Sequence, residues 1–314
     1  MNSENLKNLA EHTRSMREAG VALLFASGIL ALFLFISPIS EQPSTSVTIA
    51  TSIAPNAFAN IPIEANAAIV YDLATGETLY AKNADAQLPL ASLTKLLTVY
   101  AALSQLSPNT PITISSSAVS VEGAHTFFVG QVFSLSDLAL LTLTASLNDG
   151  ATAIASAVAE RESRSQSEML ASTASALNLS QTYAVNGSGL DTNAAVSGGY
   201  GSAYDLARLA GALVEISPTI AAATTESSAQ AVSVGGTSFK VLNTDPIVGT
   251  VPRLLLSKTG YTDLAGGNLA LIFDVGIQHP IAVVVLGSSL KARFTDGTAL
   301  VAATLAHFAG VASL

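Results

Sequence analysis

From residue 64 onward the apolar positions change period several times, and each change marks an element. Glu64 to Asn83 reads AAIVYDL, a break at Ala74-Thr75-Gly76, then ETLYA, which is the form of a β-hairpin. A helical pattern follows from the turn at Ser92 to Leu103 or Leu106. Residues 107–132 contain Pro108, Pro111, Gly123 and Gly130 and keep no period, so they are irregular. Ser134 and Asp137 have the spacing of a capping box and open an apolar helix, which breaks at Ser146 to Gly150. A second, Ala-rich helix runs to about Arg161, and residues 163–180 hold another. Asn186 to Gly201 is a glycine-rich loop. Ser202 and Asp205 repeat the capping-box form and start a helix that ends near Ile216.

The last third is mostly β: a hairpin around Gly235-Gly236, then Arg253–Lys258, Gly267–Asp274 and Ile281–Leu286. An apolar helix closes the chain over about 295–309. Strands at both ends and helices between them predict an α+β domain over 64–314. Its terminal segments share one antiparallel sheet, and a helical subdomain is inserted between them.

Ahead of that domain the pattern is different. Residues 1–19 are polar. Gly20 to Ser37 is an uncharged apolar run of 18 residues, enough for ~27 Å of helix. No polar stripe interrupts it, as a buried core helix would require. Ser37-Pro38-Ile39-Ser40 offers no clean small-residue cleavage site, so the pattern favours an uncleaved membrane anchor over a removed signal. Lys7, Arg14 and Arg17 precede the run and no Lys or Arg follows it until Lys82. That asymmetry places the N-terminus in the cytoplasm and the rest outside, on the periplasmic or cell-wall side of a cytoplasmic membrane. Residues 38–63 are rich in Pro, Ser, Thr and Ala without a period and read as a tether.

Composition narrows the function. Among 314 residues, 49% are apolar, 11% are charged, and the net charge is -9. So few basic residues argue against nucleic-acid binding, which needs a basic face. The absence of Cys removes disulfides, thiolate nucleophiles and thiolate metal sites. Four His without a metal-binding spacing give no reason to expect a metal or another cofactor.

Three short motifs carry candidate chemistry. Ser92-Leu-Thr-Lys95 puts a hydroxyl and an amine three residues apart on one helix face, ~5–6 Å between Cβ atoms, as a nucleophile and its base would be. Alone the pair says little. Composition predicts about one such spacing by chance, and Ser288–Lys291 is a second. Ser146-Leu-Asn148 falls between two helices, and Lys258-Thr259-Gly260 ends a predicted strand. In this order and these contexts the three form the set of class A β-lactamases and penicillin-binding proteins.

On those motifs the chain resembles the low-molecular-mass penicillin-binding proteins, the serine-type D-alanyl-D-alanine carboxypeptidases. The likeness extends from about Ala65 to Phe308 through AIVYDLATGETLYAKNADAQLPLASLTKLLT, VGQVFSLSDLALLTLTASLNDGA, VNGSGLD, SAYDLARLA, SKTGYTDLAGGNLA and ARFTDG. It implies a β-lactamase/transpeptidase-like fold and a peptidase acting on peptidoglycan stem peptides that end in D-Ala-D-Ala. It further implies β-lactam antibiotics as covalent inhibitors. By the same resemblance, Ser92 is the nucleophile, Lys95 its base and Ser146 a proton relay. Asn148 would hold the substrate backbone and Lys95. Burial and Lys258, the nearby cation, would together lower the Lys95 pKa. Thr259, Gly260 and Arg293 would bind the substrate's terminal carboxylate, and the N–H groups of Ser92 and Tyr261 would form the oxyanion hole.

Two departures stand out. The family usually has Pro-His where this chain has Gly187-Ser188, which predicts a looser loop. Ser257 stands where Gly is more usual. Two other functions fit the fold. A β-lactamase commonly carries Glu-x-x-x-Asn between the second and third motifs, and none occurs between Asn148 and Lys258. A catalytically idle wall-binding protein would have no need for the intact Ser and Lys set.

Overall fold

The computed structural model describes the backbone of residues 3–35 and 56–310. The chain forms two units, Met1–Ser52 and Ile53–Leu314. The first contains helix α1 (Ser3–Phe35), and its side chains are described over residues 11–27, all exposed. Among the described residues no helix is long and apolar enough to cross a membrane. The span expected over 20–37 is therefore not shown. Its helix reaches Phe35, while residues 36 and 37 and most of the expected tether lie outside the described residues.

The second unit begins earlier than the expected domain start at Glu64. Phe58 is buried between the rings of Tyr80 and His307, at 6.0 and 5.6 Å, and Ile61 and Ile63 pack below it. These contacts join irregular backbone to the core, and so leave no period to read. The hairpin β1 (Ala67–Asp72) and β2 (Thr78–Lys82) follows as expected, then β3 (Leu88–Pro89) and a 3-10 turn, Ala91–Leu93. Helix α2 (Thr94–Gln105) continues directly from that turn. Within the irregular stretch lie β4 (Pro111–Thr113), α3 (Ser116–Val119) and β5 (Val132–Ser134). Three- and four-residue elements are too short to show a period.

The helical insert comprises α4 (Leu135–Ala145), α5 (Asn148–Glu162) and α6 (Gln166–Ala176). Two strands, β6 (Tyr183–Ala184) and β7 (Gly199–Gly201), then pair antiparallel with each other, and β7 pairs with β3. After them come α7 (Ala203–Ile216) and α8 (Pro218–Ala223). Both predicted capping boxes are half made. Ser134 and Ser202 cap their helices, but Asp137 accepts from the Ser134 hydroxyl, and Asp205 reaches Gln181 and Thr182 instead. The full box is at Ser165 and Glu168.

The hairpin β8 (Ser228–Val232) and β9 (Ser238–Leu242) precedes three long strands, β10 (Leu254–Thr262), β11 (Gly266–Asp274) and β12 (Pro280–Ser288). Helix α9 (Ala292–Phe308) follows, starting three residues before the predicted Thr295. The main sheet runs β10-β11-β12-β1-β2, antiparallel throughout, so both ends of the domain share it as expected.

Its central strands are apolar on both faces, which explains their continuous hydrophobic runs. Ile69, Ala270, Ile272, Ala282 and Val284 face α7, whereas Val70, Leu269, Leu271, Val283 and Val285 meet Leu300, Val301 and Ala303 of α9. Each fully buried Ile, Leu or Val contributes about 1.5–3 kcal/mol. β10 is left as an edge strand, and its open side meets the turn that carries Ser92.

Candidate active site

The turn before α2 sets the position of Ser92. Ala91 is buried at φ +48°, in the left-handed region that a residue with a Cβ rarely adopts. Asn268 of β11 donates to the Pro89 carbonyl at 3.0 Å, and Leu90 N–H donates to Gly199 of β7 at 2.9 Å. Gly260 packs against the turn from the other side. A Cβ there would lie 3.0 Å from the Leu90 oxygen and 3.2 Å from the Ser92 nitrogen. Three strands, β7, β10 and β11, thus grip the residues that lead into a half-buried Ser92.

Lys95 lies within 2.7 Å of the Ser92 Oγ. Its Nζ also reaches Asn148 Oδ1 at 2.8 Å and the Ser188 carbonyl at 2.7 Å. The side chain is fully buried, and burial brings its pKa down to about 7, against a smaller opposing pull from Asp149. Asn148 enters from the first turn of α5. Its Nδ2 donates to the Glu122 carbonyl at 2.7 Å and its N–H to Ala124 at 2.6 Å. Buried Asp149 accepts the N–H groups of Thr126 and Phe127 at 2.7 and 2.8 Å, which ties the same loop down.

Ser146 sits in the break between α4 and α5 at φ 59°. Lys258 Nζ donates to its Oγ at 2.9 Å and to the Thr259 carbonyl at 2.6 Å. Lys258 is also buried, and its pKa is driven well below the ordinary value. Burial is the main cause, and the charges of Lys95 and Arg293 add to it against Asp245. The sequence reading has burial and the Lys258 cation together lower the Lys95 pKa; burial is the cause that lowers it, and the repulsion between the two amines falls on Lys258.

Thr259 Oγ1 shares a 2.6 Å hydrogen bond with Thr244 Oγ1. Arg293, on α9, is buried and donates from Nη1 to the Gly260 carbonyl at 2.6 Å, while its guanidinium stands 4.6 Å from the Phe294 ring. Burial pulls its pKa below the ordinary arginine value. Tyr261 follows Gly260 on the same edge strand with its side chain half exposed.

Ser92, Lys95, Ser146, Asn148, Lys258, Thr259, Gly260, Tyr261 and Arg293 therefore converge where α2, α5, β10 and α9 meet. The competing pair does not. Ser288 donates to Asp296 at 2.7 Å and Lys291 is exposed. Ser257 finds room by donating to Asp245, and its N–H donates to Thr224 Oγ1 at 2.9 Å. Three contributors went unread in the sequence: the Ser188 carbonyl, Thr244 and Asp149. Asp149 adjoins a motif residue and Thr244 precedes an acidic residue, but neither has a spacing that marks it. Among the described residues no cluster of three or more His, Asp or Glu could hold a metal.

The sequence pattern of the D-alanyl-D-alanine carboxypeptidase family matches residues 52–289. A D-alanyl-D-alanine endopeptidase of Pseudomonas aeruginosa is 29% identical over 266 residues, which cover 82% of this chain and 84% of that one. A D-alanyl-D-alanine carboxypeptidase of Escherichia coli is 30% identical over 249 residues, covering 74% of this chain and 60% of that one. A solved structure of a penicillin-binding protein of Listeria monocytogenes in its cefotaxime-bound form superposes with a TM-score of 0.66 at 26% identity. It covers 78% of this chain and 98% of that one.

Proposed function

The chain belongs to the D-alanyl-D-alanine carboxypeptidase family, and from that premise we propose that it removes the terminal D-Ala of peptidoglycan stem peptides through an acyl-enzyme on Ser92. The observation that carries the reading is the 2.7 Å contact between a buried Lys95 amine and the Ser92 hydroxyl. An amine with a pKa of about 7 is partly neutral at working pH and can take the serine proton.

As Ser92 Oγ bonds to the penultimate D-Ala carbonyl carbon, negative charge gathers on its oxygen. The N–H groups of Ser92 and Tyr261 face that charge. The C–N bond then breaks as the Ser146 hydroxyl, backed by Lys258, passes a proton to the departing D-Ala nitrogen and is itself reprotonated by the proton that Lys95 took from Ser92. Water next attacks the ester carbonyl and gives a proton to Lys95, which passes it to Ser92 Oγ as the acyl–oxygen bond breaks. The leaving group carries a carboxylate, for which Thr259, Gly260 and the charge of Arg293 form the receiving end. Asn148 orients Lys95 and the substrate backbone. β-Lactams would enter the same site and acylate Ser92.

The Pseudomonas relative favours a second reaction, cleavage of cross-linked peptides by the same steps with a larger leaving group. We assign the chain to the outer side of a cytoplasmic membrane with α1 as its anchor. Support comes from the continuous helix over residues 20–35 of the apolar run and from the three basic residues that precede the run.

The full-length chain in detergent, incubated with penicillin, should gain one acyl adduct in its intact mass and release D-Ala from a D-Ala-D-Ala peptide. Ser92→Ala should lose both. Rapid penicillin turnover without a lasting adduct would replace this reading with a β-lactamase, and neither adduct nor release would leave an idle protein of the same fold. A reporter fused at Leu314 should be active only outside the cytoplasm.

A further inference from the structure

Lys95 has three acceptors: Ser92 Oγ, Asn148 Oδ1 and the Ser188 carbonyl. A charged ammonium spends one N–H on each. Once neutral, the nitrogen has two N–H groups and a lone pair. If Asn148 and Ser188 hold the two N–H groups, the lone pair is left facing Ser92, as a base requires. The main-chain carbonyl of Ser188 is therefore a geometric element of the reaction, and something must hold it in place.

Asn186 does so. Its Oδ1 accepts from Ser188 N–H at 3.2 Å, from Ser188 Oγ at 3.0 Å and from Gly189 N–H at 2.8 Å. Its Nδ2 donates to the Leu190 carbonyl at 3.0 Å. The Ser188 hydroxyl in turn accepts from Leu190 N–H at 3.2 Å. One side chain thus organises three consecutive residues, Ser188 to Leu190, around the carbonyl that meets Lys95. Gly187 is pinned separately. Gln166 Oε1 accepts its N–H at 3.0 Å, and its carbonyl accepts from Thr98 Oγ1 at 2.7 Å. A Cβ on Gly187 would overlap Ala155 of α5. The predicted looser loop is thus a tight knot, because Gly187 lets the backbone lie on α5 and the Ser188 hydroxyl adds a tie.

We propose that Asn186 is a positioning residue for this reaction: by knotting residues 186–190 it holds the Ser188 carbonyl on one N–H of Lys95 and so aims the Lys95 lone pair at Ser92. The inference rests on the Ser92 and Lys95 roles given above. Asn suits the task because only an amide offers an acceptor for three donors and a donor for the Leu190 carbonyl. Asp keeps the acceptor, loses the donor and adds a charge.

The test is stopped-flow labelling of the full-length protein with a fluorescent penicillin, which separates initial binding from the first-order acylation step. In Asn186→Ala the acylation step should slow about tenfold to a hundredfold, the cost of misplacing a reacting group by roughly an ångström. The dissociation constant of the initial complex should stay within about twofold of the wild type. Ser188→Ala keeps the carbonyl and removes both hydroxyl hydrogen bonds, to Asn186 and from Leu190 N–H, and should slow the step by at least roughly fivefold, the worth of one neutral hydrogen bond. It decides the matter if Asn186→Ala does not fold.

Wild-type acylation in either variant would overturn the proposal. So would weaker binding with an unchanged step, which points to access, or a smaller labelled fraction at the wild-type rate, which points to stability alone. An unlabelled wild type would instead overturn the reading of the site itself.

Discussion

Lys258 Nζ stands 2.9 Å from Ser146 Oγ and 2.6 Å from the Thr259 carbonyl, so one buried amine ties the helical insert to the edge of the main sheet. Lys95 and Lys258 both lie at that seam, and both have their pKa values lowered by burial first. Their neighbours then separate them. Lys95 feels Asp149, while Lys258 feels Lys95 and Arg293 against Asp245.

Acylation should rise with pH through a midpoint near 7. Below that pH, Lys95 is an ammonium and cannot accept the Ser92 proton; above it the amine is free to do so. The acylation rate of the wild type measured from pH 5 to 9 checks this. A rate that stays flat across that range would exclude Lys95 as the base.

Lys258→Ala should slow acylation by about a hundredfold, because Ser146 loses the donor that orients it at the departing nitrogen. The acid limb should stay near 7, since burial is the cause that lowers the Lys95 pKa. A move of that limb upward by a whole unit would restore Lys258 as the dominant influence. The loss leaves the Ser146 hydroxyl and Thr259 carbonyl short of a partner, so some stability is lost as well.

Gly260→Ala tests the grip on the nucleophile turn. The added methyl would meet the Leu90 oxygen and the Ser92 nitrogen at 3.0 and 3.2 Å, closer than ordinary contact, and the neighbours are backbone. Acylation should fall by at least about tenfold through displacement of Ser92. The Tm should drop by only a few degrees, about what a 1 kcal/mol strain gives in a domain of this size. A wild-type acylation rate would show that the turn yields without cost to the reaction.

Much of this arrangement is legible in the sequence because it depends on local order. Two short strand-forming segments around the turn at Ala74-Thr75-Gly76 give the β1–β2 hairpin, and the unbroken apolar runs of β11 and β12 follow from burial on two faces. Ser92 and Ser146 stand out because each falls where one element gives way to the next; Lys258 stands out by its motif alone, since β10 continues to Thr262 and does not end there as the sequence pattern predicts. What escapes is whatever acts through the main chain or through burial. The Ser188 carbonyl belongs to every residue type alike, and the knot at Asn186 is a matter of three-dimensional closure. Thr244 meets Thr259 only because residues 243–245 fold back on β10. Phe58 joins the core from backbone without a period.

The far end of the sheet offers a test of stability independent of catalysis. Asp72 closes the β1–β2 turn, accepting the N–H groups of Ala74 and Thr75 at 2.9 and 3.1 Å, and its other oxygen meets His279 Nε2 at 2.7 Å. Burial pushes its pKa up, but the hydrogen bonds from His279, Thr75 and Ala74 outweigh that and leave it below the ordinary aspartate value. A carboxyl lowered in the fold binds its proton more readily when unfolded. Its contribution is complete above the unfolded pKa of about 4 and disappears as pH falls through the lower folded value. Asp72→Asn should therefore lower the Tm by about 2–4 °C at pH 7. The gap to the wild type should close as pH drops below about 4. Thermal melts of both proteins between pH 3 and 7 decide it. A gap that stays constant across that range would mean that Asp72 acts as a turn former alone, without its charge.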